Sequence, residues 1–282
     1  MTLREWLDRG EAQLLSGPHP DRARRDAETL LLHLVGKNRA WLLAHLADDF
    51  AGCTAIRYAS LLDSRHEGEP IQYITGESEF YGLPFRVTSD VLVPRPETEQ
   101  LVEKVIELAP LFRKPRIVDV GTGSGAIAIA LAHEWPKAAV TAIDISEPAL
   151  TVARDNAARA GFADRIRFLR GDLLSPVIGE QFEFVVSNPP YVSIADRASL
   201  AVEVRDHEPD VALFAGEDGL DIYRRLIPAA VSALSPGGYI ALEIGHGQQP
   251  DIHRLLAKAG FKNIEFASDL QVIPRVAIAQ RA

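Results

Sequence analysis

Residues 116–125 constrain the fold more than any other stretch of this chain. After Arg116, the run 117–120 is apolar and β-branched around a single acid, Asp119, as a buried strand would be. It leads directly into Gly121, Gly123 and Gly125, spaced by Thr122 and Ser124, and a helical pattern follows over 124–134. A strand that turns tightly on glycines into a helix is half of a βαβ unit, and the rest of the chain continues the alternation. Strands are expected at 138–143, 165–170, 182–187 and 239–244, with helices at 148–160, 221–234 and 250–259. Two late strands, 263–267 and 272–278, are joined by a short turn. This pattern implies a mostly parallel sheet with helices on both faces. The final short turn implies an antiparallel last strand, which pure dinucleotide-binding folds usually lack.

The first seventy or so residues read as a small helical bundle. Thr2 with Glu5 has the capping-box spacing and opens a helix carrying Leu3, Trp6, Leu7, Leu14 and Leu15 near one face. Gly17 and Pro18 stop it. A second helix begins near Pro20 and Asp21 and runs to Gly36, and shorter helical patterns surround Trp41 to Leu46 and Ala55 to Leu62. Both Trp6 and Trp41 are expected in the core. Residues 76–87 then become aromatic and β-branched around a Gly82-Leu83-Pro84 break, the mark of a hairpin. The expected domains are therefore a helical domain over 1–75, a hairpin connector over 76–90 and an α/β domain over 91–282.

The glycine loop is spaced Gly-x-Gly-x-Gly, not Gly-x-Gly-x-x-Gly, which shifts the reading away from nicotinamide cofactors. Glycine lets the backbone approach a nucleotide-like ligand closely. Asp119 lies just before the loop, where it could meet a cationic amino group indirectly. Asp144 ends the next strand, and a carboxylate there can accept from both hydroxyls of a ribose. Asp172 and Leu173 follow the third strand, at the position where S-adenosylmethionine enzymes place an acid for the adenine amino group and an apolar neighbour for its ring. The expected cofactor is S-adenosyl-L-methionine, held by Gly121, Thr122, Gly123, Ser124, Gly125, Asp144, Asp172, Leu173 and Asn188.

Asn188-Pro189-Pro190-Tyr191 follows the fourth strand. The Asn188 side-chain oxygen and the Pro189 carbonyl can each accept one N–H of a planar NH2 group. Two prolines stiffen the loop, and the Tyr191 ring can pack on the plane of the substrate. An amide nitrogen is a weak nucleophile, so positioning and charge complementarity must supply the rate. Asn188, Pro189 and Tyr191 are the candidate catalytic residues, and Pro190 joins them as a substrate contact. These residues point to methyl transfer from S-adenosylmethionine onto an amide or amino nitrogen, with methylation of an exocyclic amine of a nucleic-acid base as the alternative. Arg95 and Glu97 are candidates for an interdomain ion pair or a helix start, with Pro96 at an early helical position, or for substrate contact. The acidic stretch from Glu203 to Asp210 is either a solvated loop or a lid.

Composition narrows the partners. The net charge of −9 and the lack of a basic cluster argue against a phosphate-rich partner. Cys53 is the single cysteine, so no intrachain disulfide can form. The eight histidines show no metal-ligand spacing, and no metal is expected. No apolar run approaches a membrane span, and the N-terminal residues carry charge early. A cytoplasmic protein is expected.

The chain resembles the HemK-type protein-(glutamine-N5) methyltransferases. The resemblance rests on Gln72-Tyr73-Ile74-Thr75-Gly76, Phe80-Tyr81-Gly82, the run from Val93 to Glu99, the glycine loop, Asn188 to Tyr191, Glu208-Pro209 and the run from Ala215 to Leu220. Asn-Pro-Pro-Tyr is shared with nucleic-acid methyltransferases, whereas the Arg-Pro-Glu-Thr-Glu run is more specific. The resemblance implies a Rossmann-like class I methyltransferase domain behind the helical domain. It also implies peptide chain release factors as the protein substrate, accepting the methyl group on the glutamine of a Gly-Gly-Gln motif. The helical domain would then dock the release factor.

Overall fold

The computed structural model describes residues 1–269 and 271–282. The chain divides into two compact units, Met1–Glu77 with Leu200–His207, and Ser78–Ser199 with Glu208–Ala282.

In the first unit, helices Leu3–Leu14, Ala23–Val35, Arg39–Ala44, Cys53–His66 and Ile71–Thr75 enclose one apolar core that includes Leu7, Leu30, Leu31 and Leu62. Both bonds of the capping box form: Glu5 N donates to Thr2 Oγ1 at 3.3 Å, and Thr2 N donates to Glu5 Oε2 at 2.9 Å. Gly36 ends the second helix in the left-handed conformation. Trp6 packs against this core and donates from Nε1 to Phe50 O at 2.9 Å. Buried Arg65 pairs with Asp26 at 2.7 Å and with Glu203 at 3.0 Å. Glu203 lies in the short helix Val202–His207, so the ion pair ties this late piece of chain to the bundle. A buried guanidinium left without these carboxylates would be strongly destabilising, which makes the triad a fixed joint.

Apart from Glu77 at its start, the hairpin of β1 (Glu77–Phe80) and β2 (Leu83–Arg86) belongs to the second unit. It turns on Tyr81 and Gly82, both at positive φ, as the two-residue mirror-image turns require. Buried Asn156 fastens the hairpin to the glycine loop. Its Oδ1 accepts from Arg86 N, and its Nδ2 donates to Arg86 O and Ser124 O.

The main sheet contains β3 (Arg116–Val120), β4 (Ala139–Asp144), β5 (Ile166–Arg170), β6 (Phe182–Ser187), β7 (Leu234–Glu243), β8 (Phe261–Ser268) and β9 (Pro274–Arg281), in spatial order β5-β4-β3-β6-β7-β9-β8. The pairs from β5 to β7 are parallel, and β9 runs antiparallel to both β7 and β8. The alternating sheet with an antiparallel last strand is the Rossmann-like arrangement expected from the sequence.

Strand residues alternate between two cores. Ile117, Phe184 and Ala241 join the core on one face, and Val118, Val185 and Leu242 join the other. The helix Ala126–Glu134 is buried continuously from Ala126 to Ala132, which explains its lack of a polar stripe. The helix Pro96–Glu107 was not among the elements expected from periodicity. Pro96 opens it at a position that needs no N–H, and Leu101, Val102 and Val105 bury its inner face. β7 begins five residues before the expected Tyr239, because Leu234 already pairs with Phe182.

Candidate active site

The chain winds outward from β3 to β4 and β5, then returns to β6 on the other side of β3. A parallel sheet opens a crevice at such a reversal, outside the carboxyl ends of its strands. The glycine loop leaves β3 and the Asn188 tetrapeptide leaves β6, so the topology sets them side by side. Asp144 ends β4, and Asp172 follows β5.

A cavity of about 220 Å³ occupies this crevice. Gly121, Thr122, Gly123, Ser124, Asp144, Asp172, Leu173, Asn188, Pro189 and Pro190 all line it, as do Arg95 and Thr98. Gly125 and Tyr191 do not. Gly125 instead lets two helices approach: a Cβ there would lie 3.2 Å from Ala153 Cβ. Tyr191 directs its hydroxyl to buried Glu243 Oε1 at 3.3 Å.

The glycine loop is held from below. Gly121 N and Thr122 N both donate to Ile143 O, at 2.8 and 3.0 Å. Gly121 and Gly123 have positive φ and open space where a Cβ would stand, so ligand atoms can approach the backbone. Asp144 Oδ2 accepts from Gly123 N at 2.8 Å, and Oδ1 accepts from Ser146 N at 2.9 Å. Each oxygen keeps a lone pair for a ligand hydroxyl. Burial raises the pKa of Asp144 above the ordinary carboxylate value, and the backbone N–H bonds oppose that shift.

Asp119 is fully buried beneath the loop. Its Oδ2 accepts from Thr122 Oγ1 at 2.6 Å, while Oδ1 has no hydrogen-bond partner among the described residues. Burial, reinforced by nearby Asp144, pushes its carboxyl up to about 7. Asp119 does not line the cavity, so it acts on a ligand there only through the loop above it. Asp172 is half exposed and paired with Arg225, and both line the cavity. Leu173 holds a left-handed backbone, φ 51°, at the cavity wall. Such a conformation in a non-glycine residue costs energy and tends to persist where a ligand is gripped. Ribose-ready acceptors and apolar walls fit a nucleoside.

Asn188 meets a hydrogen-bonded chain that sequence reasoning did not find. Its Nδ2 donates to Thr98 Oγ1 at 3.0 Å, and Thr98 Oγ1 donates to Glu243 Oε2 at 2.6 Å. Tyr223 donates to the backbone carbonyl of Glu243 at 2.7 Å. The available signals were an acid within an otherwise apolar strand and a threonine inside the Arg-Pro-Glu-Thr-Glu run. Glu97 lies exposed in the first turn of that helix. Arg95, the residue before it, pairs with nearly inaccessible Glu208 at 2.5 Å. In the segment beyond, Val211 and Ala212 line the cavity, and Val192 N donates to Leu213 O at 2.9 Å.

Burial pushes the Glu243 carboxyl from 4.5 to about 7. A raised carboxyl favours the folded state while protonated. Its contribution is therefore complete below pH 4.5 and is lost as the pH rises through about 7. Glu243→Gln cannot ionise, so the stability gap between this variant and the parent should move in the variant's favour by on the order of 2–3 kcal/mol from pH 5 to pH 8. Denaturant melts at the two pH values measure this, and a gap that does not change with pH would contradict it.

Among the described residues no group of three or more His, Cys, Asp or Glu is placed to share a metal ion, and no helix is long and apolar enough to cross a membrane.

Comparison with known proteins agrees with this geometry. Residues 97–204 match the family described as "Methyltransferase small domain", and residues 5–76 match "PrmC N-terminal domain". The release factor glutamine methyltransferase of Koribacter versatilis is 41% identical over all of this chain and 99% of its own length. The protein of the same name from Moorella thermoacetica is 43% identical over the same shares. The fold is shared with a 16S rRNA methyltransferase from T. thermophilus solved with AdoMet and guanosine, at TM-score 0.55, 18% identity and coverage of 73% of this chain and 50% of that one. The chain is a methyltransferase. With full-length identity above 40%, an N-terminal family match and a crevice suited to the cofactor, it belongs to the release factor glutamine methyltransferases.

Proposed function

We propose that this chain methylates the side-chain amide nitrogen, N5, of the glutamine in the Gly-Gly-Gln motif of peptide chain release factors. The observation that carries the reading is the pair of acceptors beside the cavity. Asn188 spends its NH2 group on Thr98, and among the described residues no N–H or O–H donates to its Oδ1 or to the Pro189 carbonyl. Two fixed acceptors suit the two N–H bonds of a primary amide.

S-adenosylmethionine, when bound, supplies an electrophilic methyl group on a sulfonium. Gly121 and Gly123 would let its chain approach the backbone, Asp144 would accept from its ribose hydroxyls, and Asp172 and Leu173 would meet its adenine. Asp119, buried behind the loop, would add negative potential there through the loop backbone. Asn188 Oδ1 and the Pro189 carbonyl would hold the glutamine NH2 at the cavity in which the methyl donor would be bound. Both also favour positive charge as it develops on the nitrogen. Neither acceptor needs to move a proton, because the methylated nitrogen is strongly acidic once formed and can release its proton to water. Tyr191, pinned by Glu243, holds the end of the tetrapeptide instead of facing the cavity. The helical unit is the docking surface for the release factor, and the reaction belongs in the cytoplasm, with no stable nucleic-acid partner.

Incubating the protein with S-adenosylmethionine and a release factor should add one methyl group to the Gly-Gly-Gln peptide, read by tandem mass spectrometry. Duplex DNA and RNA should gain none and should bind weakly at physiological salt, given the net charge of −9. Methylated bases with an unmodified glutamine would reverse the assignment.

A further inference from the structure

We propose that Thr98 and Glu243 are positioning residues that fix the Asn188 amide with its oxygen, and not its NH2 group, toward the cavity. The proposal rests on the reading that Asn188 receives an N–H of the substrate amide, and it explains how that acceptor is made available.

The two ends of an asparagine amide are almost the same size, so shape alone cannot choose between them. Hydrogen-bond polarity can. An ionised carboxylate accepts and never donates. Thr98 has a single hydroxyl proton, and while Glu243 is ionised that proton goes to its Oε2, 2.6 Å away. The threonine oxygen is left only as an acceptor. Asn188 must then offer it an N–H, which it does at 3.0 Å. The amide oxygen is turned the other way. A buried carboxylate two bonds removed therefore dictates which atom the substrate meets. The same carboxylate receives the Tyr191 hydroxyl on its other oxygen, so one group sets both ends of the tetrapeptide.

Protonated Glu243 would reverse the chain. It could donate to Thr98, which could then donate to the Asn188 oxygen, leaving an NH2 group facing the donors of a substrate amide. Glu97 on the helix that carries Thr98, Arg275 on β9, and the hydroxyls of Tyr191 and Tyr223 are the other titratable groups around Glu243. Glu97 favours the protonated form and Arg275 the ionised form.

The test combines kinetics with a spectroscopic view of the free protein. Thr98→Val preserves shape and removes the hydroxyl. It should lower kcat roughly tenfold, the orienting effect of about one hydrogen bond, with cofactor affinity unchanged. Thr98→Ser should recover most of the rate. In an Asn188→Ala background Thr98→Val should add little, because the group it orients is gone. Side-chain amide NMR of asparagine-labelled protein, without substrate, should show Asn188 NH2 resonances that shift with a midpoint near the Glu243 value of about 7. That titration should vanish in Glu243→Gln, which also covers the case in which Thr98→Val fails to fold. The proposal is overturned if Thr98→Val keeps the parent kcat, if its loss multiplies with that of Asn188→Ala, or if the Asn188 resonances ignore Glu243. Because the NMR arm needs no substrate, an intact titration with an unmodified release factor would sink the substrate reading alone. Glutamine methylation without the titration would sink the relay alone.

Discussion

Asn188→Ala is expected to slow single-turnover methyl transfer roughly a hundredfold or more, the usual cost of one preorganised group that acts on developing charge. Cofactor affinity should change little, because the glycine loop and Asp144 carry most of it. The substitution removes one of two acceptors for the substrate amide and leaves Thr98 Oγ1 without its donor. Asn188→Asp is the sharper variant. By the side chain alone it keeps an acceptor and could retain activity. Within the hydrogen-bonded chain it cannot fit cleanly, since a carboxylate would face a threonine oxygen whose proton is already given to Glu243. Asn188→Asp should therefore also lose most of its rate. A folded Asn188→Ala that matches the parent in a single-turnover assay would remove Asn188 from the mechanism.

Asp144→Ala should weaken S-adenosylmethionine binding by on the order of 2–4 kcal/mol, or roughly 30-fold to a thousandfold, through loss of two charge-assisted hydrogen bonds. The structure adds a second cost. Gly123 N and Ser146 N both donate to this carboxylate, so its removal loosens the glycine loop even without a ligand. The variant should thus be less stable in the absence of cofactor, by about 1 kcal/mol for each backbone N–H left without an acceptor. Calorimetry of cofactor binding together with apo melts separates the two effects. Unchanged affinity in a folded Asp144→Ala protein would rule out the ribose role.

Much of the fold was legible because it rests on local chemistry. The Gly-x-Gly-x-Gly run between a strand and a helix, the acids at strand ends and the capping box at Thr2 and Glu5 each specify a local geometry through neighbours a few residues away. Their placement around one crevice then follows from the handedness and order of a parallel sheet. The helix Pro96–Glu107 was harder to read from periodicity, and its start was marked only by Pro96 in a run that also invited a substrate role.

The amino-acid sequence by itself determined the alternating sheet, the antiparallel last strand, the glycine cradle and the Asn188 tetrapeptide, because each is written in residues that are near one another in the chain. Only the tertiary structure decided how those groups are oriented. Asn188, Thr98 and Glu243 are separated by up to 145 residues, and Arg65 meets Glu203 across 138. No sequence period reports such pairings. A buried polar group must find a partner wherever the fold supplies one, and the partner settles which of its atoms is left for chemistry.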